Sequence, residues 1–253
     1  MVLEGHNGLS FWQFDIFKEF SGLRHGTFTR HGGCSAAPFD SLNVAFGIGD
    51  NPANIRRNRG RIERAMNLER SIYLDQVHGS GCYIHDATQG QPQPPQADAV
   101  ITARHDHLLV IQTADCQAVQ VFDPRQKVVA NVHAGWRGSA ANVIGRTVTL
   151  MVRHFGCDPT DLLAAIGPSL GPCCGEFVNY RRELPRRLWA YRRDKDYFDF
   201  WAISCDQLQA AGLRPGHIEV SRICTRCRTD VCFSYRAEQR TGRMAAVIGM
   251  AGL

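Results

Sequence analysis

The sequence predicts one mixed α/β domain over residues 1–253. Short runs rich in Val, Ile and Leu recur along the chain as strands, and fewer segments carry apolar residues at helical spacing. Neither a repeat nor a change of composition marks a boundary. Residues 11–20 are rich in Phe and read as a first strand or a cap on the core; Leu23 to Arg30 reads as a strand leading into the His31-Gly32-Gly33 loop. Asp50-Asn51-Pro52 makes a turn and starts a helix that runs to Met66, with Ile55, Ile62, Ala65 and Met66 on one face. Ile72 to Val77 and Tyr83 to Asp86 read as strands on either side of His78-Gly79-Ser80-Gly81. Pro92, Pro94 and Pro95 place a surface loop over Thr88 to Gln96, after which Ala99 to Thr102 resumes as strand. Later come a buried strand at Leu162 to Ile166, amphipathic helices at Leu184 to Tyr191 and Trp201 to Ala211, and strands at Ile218 to Ile223 and Ala245 to Ile248.

A chain of this length can bury a substantial core. With 44% hydrophobic and 21% charged residues, it has the composition of an ordinary soluble globular protein. No apolar run approaches the length of a membrane span, so no membrane partner is expected. Glu4, His6 and Asn7 stand where a secretory signal would have a basic start and an apolar centre, and a cytoplasmic location is expected. The net charge of +5 is mild but uneven. Arg56, Arg57, Arg59, Arg61 and Arg64 form one cluster, and Arg181, Arg182, Arg186, Arg187, Arg192 and Arg193 another. Both fall on expected helices and are interleaved with Glu or Asp, which favours solvated faces over a nucleic-acid patch. A phosphate-binding role stays open for one or two Arg of the first cluster, because guanidinium matches phosphate bidentately.

The stretch from Leu108 to Arg146 carries the chemistry. Val110 and Ile111, then Val119, Val121 and Phe122, are β-favouring residues flanking Thr113-Ala114-Asp115-Cys116, which places Cys116 where a strand breaks into a turn or bulge before resuming. After Asp123-Pro124, a strand from Val128 to Val132 delivers His133 at its C-terminal end. Ala134-Gly135-Trp136-Arg137-Gly138 then opens a helix with Val143, Ile144, Val148 and Met151 at helical spacing. Strand ends that feed a helix N-terminus are where α/β proteins place ligands. Singly, Cys116 reads as a small core residue and His133 as a satisfied strand-end histidine. His78, also at the end of an apolar run and followed by Gly, shifts the balance. Two imidazoles and a thiolate at three strand ends suit an open metal site that keeps a position for water or substrate.

Gln76-Val77-His78-Gly79, Thr113-Ala114-Asp115-Cys116, His133-Ala134-Gly135-Trp136-Arg137-Gly138 and Ile166-Gly167-Pro168-Ser169-Leu170-Gly171-Pro172-Cys173-Cys174 resemble the successive motifs of the YfiH-type family. That family was first labelled multicopper polyphenol oxidoreductase (laccase-like) and later understood as purine nucleoside phosphorylases with adenosine deaminase activity. Thr29-Arg30-His31-Gly32-Gly33, Ser41-Leu42-Asn43, Phe233-Ser234-Tyr235-Arg236 and Thr241-Gly242-Arg243 extend the resemblance over nearly the whole chain. It departs at Gln117-Ala118, where the family more often has an apolar residue and Pro, and at Gly175, where Tyr is common. The resemblance implies a four-layer α/β/β/α sandwich and zinc held by His78, Cys116 and His133. It also implies purine nucleosides and phosphate as substrates, with adenosine, inosine and methylthioadenosine among the nucleosides.

Within that reading Asp115 is the nearest group for proton transfer or for orienting a ligand, or it simply caps its turn. Arg30, Asn43, Gln76 and Phe233 are the expected substrate contacts: a guanidinium for phosphate, amides for ribose hydroxyls and a ring to stack on a purine. The full signature of zinc nucleobase deaminases, H-x-E followed by P-C-x-x-C, is absent, so deamination rests on the resemblance. Two other classes use the same residues. A cysteine-dependent amidase acting on cell-wall precursors would take Cys116 as nucleophile and His133 or His78 as base. A copper-binding protein or polyphenol oxidase would use thiolate and imidazole as copper ligands.

Ten cysteines in a chain without an export signal read as thiols or metal ligands rather than as a disulfide framework. Cys224, Cys227 and Cys232 give a C-x2-C and a third thiol, the spacing of a structural zinc or a redox pair. With neither a second C-x2-C nor a nearby His, the expectation is reduced thiols that are not ligands of a catalytic metal. Cys173 and Cys174 are adjacent, which argues against their chelating one ion together or forming an unstrained disulfide.

Overall fold

The computed structural model describes residues 1–86 and 93–252, so Thr88 to Pro92 of the expected loop lie outside the described residues. Its strands are β1 (Val2–His6), β2 (Leu9–Gln13), β3 (Leu23–Phe28), β4 (Arg70–Tyr73), β5 (Cys82–Ile84), β6 (Ala99–Thr102), β7 (His107–Thr113), β8 (Gln117–Asp123), β9 (Val128–Ala134), β10 (Leu163–Ile166), β11 (Ile218–Val220) and β12 (Met244–Met250). The helices are α1 (Pro52–Met66), α2 (Trp136–Ala140), α3 (Val143–Phe155), α4 (Tyr180–Glu183), α5 (Phe200–Ala210) and α6 (Tyr235–Glu238). One six-stranded sheet has the order β1-β2-β3-β12-β7-β4 and the other β11-β10-β8-β9-β6-β5. Both are mixed: β4 runs parallel to β7, β5 to β6 and β11 to β10, while the remaining pairs are antiparallel.

The two-residue side-chain period of a strand builds the layers. Leu108, Val110, Ala245 and Val247 face Ile62 and Met66 of α1, whereas Leu109, Ile111, Ala246 and Ile248 face the second sheet. On that sheet Val100, Ala118, Phe122 and Val129 point inward, and Ile101, Val119, Val121, Ala130 and Val132 point out against Val143, Ile144, Val148 and Met151 of α3 and Leu208 of α5. The result is helix, sheet, sheet, helix, the mixed α/β sandwich that the resemblance implies. Because all four sheet faces are covered, central strands such as β7 to β9 read as near-continuous apolar runs rather than alternating ones.

Local chemistry sets the ends of the elements. Asn51 caps α1 by accepting from the Ala53 N–H, Pro52 supplies the first turn, and Asn67 ends it in the left-handed region. The helix expected after His133 is broken: α2 stops at Ala140, and Asn142, at φ 57°, starts α3 with its side chain accepting from Gly145. The helix expected from Leu184 is a 3-10 turn over Arg186–Tyr191, since Pro185 has no N–H to give and Leu184 is extended. The strand expected from Ile72 to Val77 ends at Tyr73, and the aromatic segment expected at 11–20 is strand only to Gln13, in β2, which β1 precedes in a hairpin around Asn7-Gly8.

Two buried amides cross the gap between the sheets. Asn131 donates to the carbonyls of Leu109 (2.9 Å) and Ala246 (2.8 Å), and Gln120 to those of Gly26 (3.2 Å) and Val247 (2.9 Å). They lie among side chains such as Phe122, Leu109 and Ile248, so each lost bond leaves a polar group in an apolar layer. Asn131→Ala is therefore expected to cost about 2–4 kcal/mol from two lost bonds and a residual cavity, read as a lower urea midpoint with unchanged slope. A loss below about 0.5 kcal/mol would show that these cross-sheet bonds do not hold the layers.

Candidate active site and metal centre

His78, Cys116 and His133 come from three different places in the fold. Cys116 sits in the turn between β7 and β8, His133 near the end of β9, and His78 in the loop after β4, at φ 58°. Their ligand atoms all lie within 4.8 Å of one another, and the two imidazoles meet edge to face with centroids 4.8 Å apart. Gly135 makes the approach possible, because a Cβ there would stand 3.1 Å from the Cys116 sulfur and 3.1 Å from His78 Cδ2. Gly138 serves the same packing, since its Cβ would meet the Gly79 carbonyl at 3.0 Å.

Asp98, which sequence reasoning missed, holds this group together. It is wholly buried at the start of β6. Its carboxylate accepts the N–H groups of His78 (2.9 Å) and Gly79 (2.6 Å) and bonds His133 Nδ1 (2.8 Å). With Nδ1 engaged, the His133 lone pair available to a metal is on Nε2. A carboxylate that fixes the tautomer of a ligating imidazole is a common accompaniment of a metal site. The only sequence signal for Asp98 is an acid placed directly before the apolar Ala99-Val100-Ile101 run.

The electrostatics agree with a metal-binding thiolate. Burial alone would push the Cys116 thiol up, but the His133 charge and hydrogen bonds from His133 and His78 outweigh it and bring the thiol down to about 6. Burial also works against a charged His133, and there the Cys116 and Asp98 charges prevail, raising the imidazole to about 9. Burial opposes the Asp98 charge as well, yet the His133 ring and the Gly79 and His78 N–H groups keep that carboxyl below its usual range. The two shifts run in opposite directions, each partner favouring the charged form of the other.

Asp115, next to Cys116 and at φ 90°, acts as a tie rather than as a free base. Its carboxylate accepts from Thr225 Oγ1 (2.6 Å), Ser234 Oγ (2.7 Å) and the Arg236 N–H (2.6 Å), and its carbonyl accepts from the Leu170 N–H (2.8 Å). It therefore binds the 167–175 and 223–236 loops to the turn that carries Cys116.

The three ligands open into a cleft of about 870 Å³, the size of a small-molecule site. One part of its wall is aromatic, with Trp136, Phe177 and Phe200 in succession at centroid separations of 6.3 and 5.1 Å. Another is cationic, with Arg59 and Arg243 joined through Val44: Arg59 Nε donates to the Val44 carbonyl (2.8 Å), and the Val44 N–H to the Arg243 carbonyl (3.2 Å). Burial lowers both guanidiniums from their ordinary value, so each is a poorly hydrated charge. Arg59 also stacks on Tyr73, 3.5 Å from the ring centroid.

Three of the expected substrate contacts are not on this wall. Arg30 is spent on the carbonyls of Asp40, Thr229 and Cys232 and on the Glu238 carboxylate, and it stacks on Phe233. Asn43 is buried and bonded to Ala45, Asp50 and the Arg243 N–H. Phe233 is a core residue packed with Trp12 and Met244. Gln76 does line the cleft, but its amide is paired in both directions with the Gln112 backbone, at 2.9 and 2.8 Å, extending the β4–β7 pairing. The cationic and aromatic walls that replace them were hidden by their separation in the chain. Arg59 had a partial signal in the arginine cluster, and Arg243 one in the Thr241-Gly242-Arg243 motif.

The C-terminal thiols are free and stand apart from the His78, Cys116 and His133 group, as expected, but two pairs of cysteines come together that are far apart in the sequence. Cys173 and Cys174 meet Cys224 and Cys227, with ligand atoms all within 4.8 Å, while Cys232 is buried apart from them against Trp12, Phe233 and Met244.

Residues 24–251 match the family described as multi-copper polyphenol oxidoreductase laccase. Among curated proteins the chain is similar to the purine nucleoside phosphorylase YlmD of Geobacillus stearothermophilus, at 34% identity over 91% of each chain. It is also similar to the purine nucleoside phosphorylase YfiH of Escherichia coli, at 33% identity over 87% of this chain and 90% of that one. Among solved structures, YlmD of Geobacillus stearothermophilus superposes with a TM-score of 0.88 at 30% identity and 99% coverage of both chains. A hypothetical protein YfiH of Bacillus licheniformis superposes with a TM-score of 0.87 at 27% identity and 98% coverage of both. The sandwich, the ordered motifs and matches that run nearly end to end agree, and the chain belongs to the YfiH-type, laccase-like family.

Proposed function

We propose that the protein is a zinc-dependent purine nucleoside phosphorylase that also deaminates adenosine. The observation that carries this reading is the convergence of His78, Cys116 and His133 on the floor of a cleft with one aromatic and one cationic wall. The donor set fits zinc: two imidazoles and a thiolate, one imidazole oriented by a buried carboxylate. Copper suits the same donors, but a multicopper oxidase needs several imidazole-rich centres. Among the described residues one His-containing cluster occurs, and the other cluster is all cysteine. Both relatives named above are called purine nucleoside phosphorylases, which supports the substrate class.

In phosphorolysis the C1′–N9 bond of the nucleoside breaks, a phosphate oxygen bonds C1′, and the purine leaves with a proton. In deamination water replaces the 6-amino group, which leaves as ammonia. The chain's own residues divide the work. Trp136, Phe177 and Phe200 offer ring faces for the purine and exclude water around it. Arg59 and Arg243 hold the phosphate with charge-assisted hydrogen bonds and steady the negative charge opposite an oxocarbenium-like sugar. Asp98 keeps His133 in the tautomer that leaves Nε2 free, and Asp115 keeps the cleft loops in register with Cys116. When bound, zinc supplies a Lewis-acid charge that polarises water or a substrate atom. A cytoplasmic setting and small-molecule partners, without nucleic acid or membrane, complete the reading; no helix among the described residues is long and apolar enough to cross a membrane.

One observation favours the rival cysteine hydrolase: Cys116, His133 and Asp98 stand in the order nucleophile, base, orienting acid. The reactions separate the two readings. Adenosine with phosphate is expected to give adenine and ribose 1-phosphate, and inosine with or without phosphate. Chromatography of the products tests this, and phosphate-independent adenine release would contradict phosphorolysis. His78→Ala should lower both activities by about 100-fold or more, because a ligand and the charge it positions are lost together; unchanged rates would remove the metal from the chemistry.

Replacing Arg243 with Met should raise the KM for phosphate about 10-fold or more, the cost of one charge-assisted hydrogen bond, while deamination of adenosine changes little. An equal loss in both reactions would place Arg243 outside phosphate binding. Finally, chelator-treated protein should lose both activities and expose Cys116 to iodoacetamide. Alkylation should stay fast as pH falls to about 6, because the thiol sits there. Zinc should protect it; activity that survives chelation but not alkylation would favour the hydrolase.

A further inference from the structure

We propose that Cys173, Cys174, Cys224 and Cys227 form a second metal site, a structural zinc centre that staples together the two loops behind the cleft. The four ligand atoms lie within 4.8 Å of one another. The Cys227 sulfur is 3.6 Å from that of Cys173 and 3.5 Å from that of Cys174. Four sulfurs about 2.3 Å from a tetrahedral zinc stand about 3.8 Å apart, whereas a disulfide closes the pair to about 2.0 Å. The two Cys227 separations are close to the first value and far from the second.

Backbone donors face one sulfur of the cluster, Cys224. The Gly171 N–H points at the Cys224 sulfur (3.4 Å), and the Cys227 N–H does the same from within the C-x2-C turn. Backbone N–H groups aimed at sulfur delocalise thiolate charge, and a tetrathiolate zinc centre carries two net negative charges. Arg226 supplies a nearby countercharge, hydrogen-bonded to Cys174 and facing Cys227. The adjacent cysteines reach one ion because residues 172–174 form a turn, so their side chains do not diverge as on a strand.

The backbone is built for this closeness. Ser169 pairs with Cys224 as a short parallel bridge, through Ser169 N–H to Ile223 O (3.1 Å) and Thr225 N–H to Ser169 O (3.1 Å). Any Cβ on Gly171 would stand 3.1 Å from that of Cys224 and 2.7 Å from the Trp201 ring. Leu170, between those residues, lines the cleft, and Thr225 donates to Asp115 beside Cys116. A metal here fixes the wall of the cleft without touching substrate. This site is independent of the nucleoside reading, since it uses none of the same ligands.

Metal content of the full chain tests it. Wild type, purified without reductant or added metal, is expected to hold two zinc ions. Cys116→Ala with His133→Ala should retain one, and Cys174→Ser with Cys227→Ser should retain the other. Cobalt loaded into the first double variant should give the intense visible bands of tetrahedral tetrathiolate coordination. That variant leaves all four cysteines intact, so the result does not depend on whether the second folds. One zinc in wild type and none in the Cys116/His133 variant would overturn the proposal. So would a loss of two hydrogens by intact mass, assigned by peptide mapping to a bridge between Cys227 and Cys173 or Cys174.

Discussion

The site depends on one buried carboxylate. Asp98 has no contact with solvent, and it sits where the His78 loop, the start of β6 and the end of β9 meet. A charge in that position is tolerable only because each of its oxygens is met by a donor: two backbone N–H groups from the loop and the His133 ring. The same bonds orient the His133 imidazole and hold the backbone of the His78 loop in place. Asp98 also ties β9 to the β6 entry through its own carbonyl, which accepts the His133 N–H at 2.6 Å. One group therefore ties the His78 loop, the β6 entry and the end of β9 together.

Asp115 plays the matching part on the other side of Cys116. The strained backbone there is held by four acceptor contacts, and through them the 167–175 and 223–236 loops become walls of the cleft. The β7–β8–β9 core carries Cys116 and His133, the loop after β4 brings His78 to them, and the pinned loops supply the shape. Precise ligands on strand ends with adaptable walls on loops are a common division of labour in α/β enzymes.

What the sequence revealed follows from what is local. The Pro52–Met66 helix, the strands around Cys116 and the strand bearing His133 each carry their signal within a dozen residues, and Cys116 and His133 were legible because each stands at the end of such a strand, whereas His78 lies in the loop beyond β4. Asp98 was not, because an acid before a strand looks the same whether it caps a turn or orients a metal ligand. Arg30, Asn43 and Phe233 have the right chemistry for a substrate, yet the fold uses them internally, Arg30 and Asn43 in hydrogen bonds and Phe233 in the core; exposure, not residue type, decides between the two. The four-cysteine cluster joins pairs some fifty residues apart, a long-range contact that no local pattern encodes. Adjacent Cys173 and Cys174 lie in a turn, not a strand, so both sulfurs come near Cys227.

Crystals of the purified protein measured on either side of the zinc absorption edge give the most direct test of the metal centre. An anomalous difference peak bonded to His78 Nε2 or Nδ1, Cys116 Sγ and His133 Nε2 is the expected result, with Asp98 still on His133 Nδ1. Zinc-loaded crystals with no peak between those three residues, or with Cys116 free while His133 turns its Nε2 elsewhere, would contradict it.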